Sequence, residues 1–142
     1  EIHNRYRVEI HAYCLMPNHY HLLIHTPLAN LSCTIKHLNG LYTQRYNKLL
    51  KIDGPLFRGR FKSIIVDADI FIIPVENIID PHPVVARIVG NATEYQWSSY
   101  SAYLNAKLIP RWLTTDIILS KFGPKMQKQK YQNFVAEGID KE

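Results

Sequence analysis

A chain of 142 residues suffices for one compact domain with a C-terminal appendage, and 46% hydrophobic with 20% charged residues is ordinary for a folded protein. The longest apolar run, "IIVDADIFII", is broken by Asp67 and Asp69, which excludes a membrane-spanning helix there. With no signal-peptide pattern, the chain is expected to be cytoplasmic.

Cys14 and Cys33 form neither metal nor redox spacing and read as small buried hydrophobes. The net charge is +5, and its placement is uneven. From Lys36 to Lys62 seven basic residues face one acid, Asp53, so this segment alone carries +6. A solvated helix face followed by a basic loop is the plain reading. A polyanion site is the functional one, because clustered Lys and Arg displace counterions from a phosphate backbone. "LFRGRFK" sets arginines among aromatic rings on which bases can stack, which favours the second.

In chain order, "YRVEIHAYCLM" (Tyr6 to Met16) alternates Val8, Ile10, Ala12 and Cys14 with Arg7, Glu9, His11 and Tyr13, the pattern of a half-buried strand. Pro17-Asn18 makes a turn and "HYHLLIHT" returns as a second strand, giving a hairpin whose register the sequence leaves open. Leu31, Ile35, Leu38, Tyr42, Tyr46 and Leu49 then recur at steps of three and four, an amphipathic helix after Asn30 that "DGP" ends. On that stripe Tyr42 and Tyr46 are expected to pack in the core. A further strand is expected around Phe61 to Asp67.

Asp69 to Asp80 suits a buried helix in composition, but Pro74 would remove a helix hydrogen bond unless it lies in the first turn. "EYQWSSYSAYL" reads as a short helix capped by Ser98. "TTDIILSKFGP" reads as another, with a Thr115 cap and a Gly123-Pro124 stop, and a last basic helix runs over about Met126 to Glu137.

The segment "PNHYHLLIH" puts His19 and His21 two residues apart, on one face of the second strand. Two neutral imidazoles so placed can grip one divalent ion; two half-exposed histidines without a ligand are the commoner outcome for an isolated H-x-H. The wider context changes the odds. "AYCLMPNHYHLLIHTP", "LYTQRYN", "GPLFRGRFKS" and "EYQWSSY" occur in order. Together they resemble the REP-associated tyrosine transposases, relatives of the small single-strand insertion-sequence transposases in the HUH superfamily. The resemblance covers roughly Ala12 to Tyr103.

It implies an α+β, ferredoxin-like antiparallel sheet with packed helices, placed over residues 1–104; the helices read beyond it make 105–142 a helical C-terminal extension. It also implies a divalent metal, Mg or Mn, held by His19 and His21 on a central strand. In such proteins a helix tyrosine attacks a phosphodiester of single-stranded or hairpin DNA, leaving a 5′-phosphotyrosine and a free 3′-hydroxyl while the metal polarises the phosphate. Arg45, Lys48, Phe57, Arg58, Arg60 and Lys62 are the expected DNA contacts. The insertion-sequence relatives resemble obligate dimers and the REP-associated ones can act as monomers, so a homodimer is one expectation.

The sequence departs from the pattern in two places. The family's nucleophile segment matches "DADIFIIPVENIIDPHPVVAR" without a gap, which puts Ile78 at the tyrosine's position and His82 at that of an asparagine completing the metal site. No tyrosine lies between Tyr46 and Tyr95, and a branched hydrocarbon cannot attack phosphorus. Tyr100 and Tyr103 are the substitutes to consider. The family's first strand is also expected to be absent, leaving a sheet edge unpaired. Three functions follow: a transposase impaired in this copy, a non-catalytic DNA-binding descendant of one, or a metal-dependent phosphodiesterase using water.

Overall fold

The computed structural model describes residues 1–67 and 82–139, which fold as an α+β protein with a two-stranded antiparallel sheet and a helical C-terminal region. Two compact units share the chain: Glu1–Val8 with Thr26–Ile65, and Glu9–His25 with Val66–Glu142. Ile78 and Pro74 lie outside the described residues, as does the side chain of His82.

In the first unit, α1 (Ile2–Tyr6) closes on Arg7, whose left-handed φ of 51° turns the chain out of the helix. This is why the strand anticipated from Tyr6 begins only at Glu9. Ile2 and Val8 are buried, and the Asn30 amide donates to the Tyr6 carbonyl at 2.9 Å. Helix α2 (Leu31–Leu50) starts at Asn30, as its apolar spacing predicts, and ends at Lys51, a left-handed cap whose N–H bonds the Asn47 carbonyl. Its buried residues are Thr34 and Ile35, toward the N-terminal end. Tyr42 is 53% exposed, so the expected core role for this tyrosine is wrong. Residues 61–67 carry no regular secondary structure, which corrects the strand expected there.

The second unit is built on the hairpin of β1 (Glu9–Leu15) and β2 (Tyr20–His25), closed by a hydrogen bond from the Met16 N–H to the His19 carbonyl at 2.8 Å. The register pairs Cys14 with His21, Ala12 with Leu23, Ile10 with Ile24 and Glu9 with His25. His11 is an extra residue between Ile10 and Ala12, a β-bulge that breaks the alternation. Ile10, His11 and Ala12 are therefore all buried, and His11 is not on an outward polar face as alternation alone implied.

The edge of β1 away from β2 is covered. The Leu15 N–H donates to the Trp97 carbonyl (2.8 Å), the Ser99 N–H to the Tyr13 carbonyl (2.9 Å) and the Thr114 N–H to the Ile10 carbonyl (2.8 Å). The unpaired edge anticipated for the sheet is not found on β1.

After α3 (His82–Val85), Asn91 caps a 3-10 turn over Ala92–Glu94 with a capping box: its side chain accepts from the backbone, and the Glu94 carboxylate reaches back to the Asn91 N–H. Helix α4 (Tyr100–Leu104) starts after Ser99, one residue later than anticipated. Ser98 Oγ still accepts from the Tyr100 N–H at 3.4 Å, while Ser99 Oγ turns to Tyr13. Helix α5 (Asp116–Ser120) begins after Thr115 and stops before Gly123 at φ 79°, and α6 spans Gln127–Ile139, both close to the sequence reading.

Residues on both sides of position 104 share one core: Ala12, Cys14 and Leu23 of the hairpin lie with Tyr100, Tyr103, Ile118, Tyr131 and Val135. Tyr103 and Tyr131 stack at 4.6 Å between ring centroids, worth about 0.5–1.5 kcal/mol beyond the area they bury.

Candidate functional site

His21 projects on the core-side face of the hairpin, opposite Cys14, and His19 immediately precedes β2 at the turn. Their ring centroids are 5.0 Å apart with the planes at 87°. Two imidazoles bound to one ion through bonds of about 2.1 Å have centroids roughly 4.5–5.3 Å apart, so the pair fits a shared ion in spacing. His19 Nδ1 lies 2.6 Å from the Asn18 side-chain oxygen.

A second cluster lies at the other end of the hairpin, and sequence reasoning missed it. Glu9, His11 and His25 offer one ligand atom each, all within 4.8 Å of one another, the one such three-donor group among the described residues. Glu9 Oε2 is 2.9 Å from His25 Nδ1 and 3.8 Å from His11 Nε2. His11 is buried, with Nδ1 3.2 Å from the Thr114 carbonyl oxygen.

Burial pushes the His11 imidazole below its ordinary pKa. The Thr114 carbonyl and the Glu9 carboxylate oppose that shift, and His25 adds to it. The E-x-H spacing at Glu9 and His11 was visible in the sequence. The bulge that turns His11 inward and the register that brings in His25 were not.

The tyrosines weighed as substitute nucleophiles are in the core. Tyr100 is 4% exposed and Tyr103 1%, and the Tyr103 hydroxyl donates to the His11 carbonyl. Tyr95 is 8% exposed, donates to the Leu15 carbonyl, and has its pKa raised, chiefly by burial and further by Cys14. None can reach DNA without unpacking.

The expected DNA contacts fall in the first unit. Arg58, Arg60, Lys48 and Lys62 are exposed, and Arg45 is exposed and ion-paired with Glu1 at 3.2 Å. Phe57 lies against Tyr42 at 6.1 Å between centroids, and Tyr42 against Tyr46 at 6.1 Å. An open groove of about 590 Å³ runs between α2 and residues 55–61, with Lys36, Phe57 and Arg60 among its walls. Gly59, at φ 75°, makes the turn between the two arginines, a conformation in which a side chain would be strained.

A family model described as "Transposase IS200 like" matches residues 1–76. The chain belongs to the IS200-like transposase family. The match takes in His19, His21 and the basic segment, and it ends before Ile78. No curated protein and no solved structure matches the chain. DNA is the family's partner and its chemistry depends on a metal; Glu9, His11 and His25 of this chain can also hold one. Among the described residues of this transposase-family chain, no helix is long and apolar enough to cross a membrane.

Proposed function

We propose that this chain is a REP-associated type of IS200-like transposase that binds single-stranded or hairpin DNA, on a scaffold for metal-dependent strand cleavage and joining. The carrying observation is the His19–His21 pair, 5.0 Å between ring centroids, inside the segment that matches the family. His19 and His21 hold Mg²⁺ or Mn²⁺, with His82 as a third ligand; the ion polarises the scissile phosphate when bound. The exposed Arg58, Arg60, Lys48 and Lys62, with Arg45, track the DNA backbone, and Phe57 beside Tyr42 offers a stacking surface.

This copy is impaired at the chemical step, because Ile78 stands where the attacking tyrosine is expected. The burial of Tyr95, Tyr100 and Tyr103 supports the second reading too, a hairpin-binding protein without catalysis. The test is a denaturing gel of 5′- and 3′-labelled hairpin incubated with the protein and Mn²⁺. The expected result is binding in a native gel and no covalent product in the denaturing one. A shifted, protease-sensitive band from the unaltered chain would show that another tyrosine serves and that the copy is active.

A further inference from the structure

We propose that Glu9, His11 and His25 form a second metal site, taking a transition-metal ion of the zinc kind and separate from the His19–His21 pair. His25 and His21 are four residues apart on one strand, about 13 Å, so one ion cannot serve both.

The donor set selects the ion. Two imidazole nitrogens and a carboxylate suit Zn²⁺, whereas Mg²⁺ prefers oxygen donors and its own waters. The spacing also suits it. Ligand atoms around a tetrahedral ion with bonds of about 2.05 Å lie about 3.3 Å apart. The two Glu9 distances, 2.9 and 3.8 Å, fall on either side of that value, and all three donor atoms lie within 4.8 Å of one another, so the set contracts onto an ion by side-chain movement.

The hydrogen-bond pattern prepares one ligand. A carbonyl oxygen only accepts, so His11 Nδ1 carries its proton toward Thr114, and the Nε2 lone pair is left facing Glu9. Metal-bound histidines characteristically have this backbone-anchored second nitrogen. His25 Nδ1 donates to Glu9, and on metal binding at this nitrogen the proton moves to His25 Nε2. The β-bulge gives the arrangement a purpose, since it turns His11 inward against the Thr114 segment while Glu9 and His25 stay at the surface. Three protein ligands leave a fourth position for solvent.

The test titrates Co²⁺ into the chelator-treated full chain, reading the visible absorption of four-coordinate cobalt, and follows thermal unfolding with added Zn²⁺. The expected result is a saturable band and a raised melting temperature, both unaffected by excess Mg²⁺ and both retained in a His19→Ala, His21→Ala double variant. Glu9→Gln and His25→Ala, two substitutions at exposed side chains, should each weaken cobalt affinity at least about tenfold with an unchanged circular dichroism spectrum. Absence of the band in the unaltered chain would overturn the site. So would unchanged affinity in both single variants, or loss of the band in the double variant, which would assign the ion to His19 and His21.

Discussion

At residue scale, His11 couples stability to pH. Burial lowers its pKa, so the folded chain keeps it neutral where the unfolded chain takes up a proton near the ordinary value of 6.5. Above that value the two states hold the same number of protons at this ring and it makes no pH-dependent contribution. As pH falls below 6.5, the unfolded state binds the proton first and stability drops, levelling off below the folded value. Of the charged groups facing the ring, Glu9 opposes the shift and His25, once protonated, adds to it. In chelator, urea unfolding should give a lower stability at pH 5.5 than at pH 7.5. His11→Gln, which keeps an N–H able to reach Thr114, should flatten that difference. Equal pH dependence in the two proteins would mean that His11 is not the group responsible.

At the scale of elements, the hairpin edge is held by a serine. Ser99 Oγ accepts from the Tyr13 N–H at 3.0 Å and donates to the Tyr13 carbonyl at 3.1 Å, with Ser99 fully buried. Ser99→Ala leaves that strand N–H without its acceptor and should cost about 1–3 kcal/mol, measurable by denaturant unfolding. A loss below about 0.5 kcal/mol would show that the strand finds another partner. These elements also mark where sequence patterns stop. The hairpin, α2 after Asn30 and α5 after Thr115 were legible because turn residues and apolar periods are local signals. The His11 bulge was not, since a two-residue alternation gives no sign of an inserted residue. Tyr42 fits a helical apolar stripe, yet burial depends on what packs over it, and no local pattern encodes that. The same limit hid the second metal cluster: Glu9 and His25 are 16 residues apart and meet only through strand register.

At the scale of the whole molecule, the basic segment and the candidate metal ligands belong to different compact units. The +6 of residues 36–62 lies in the first compact unit, while His19, His21 and the Glu9–His11–His25 cluster lie in the second. On a single strand each phosphate contact contributes about 0.7 to the slope of log affinity against log salt. Arg58→Gln with Arg60→Gln should lower the slope by about 1.4 and weaken binding to all sequences alike, because backbone contacts carry no base information. Both arginines are exposed, flanking the turn at Gly59, so the pair can be removed without disturbing a core. Cobalt binding and melting temperature should stay as in the unaltered chain, which separates lost contacts from lost folding. Fluorescence anisotropy of a labelled single strand, measured from low to moderate salt, reads the slope directly. An unchanged slope in a protein that still melts normally would place the DNA on another surface.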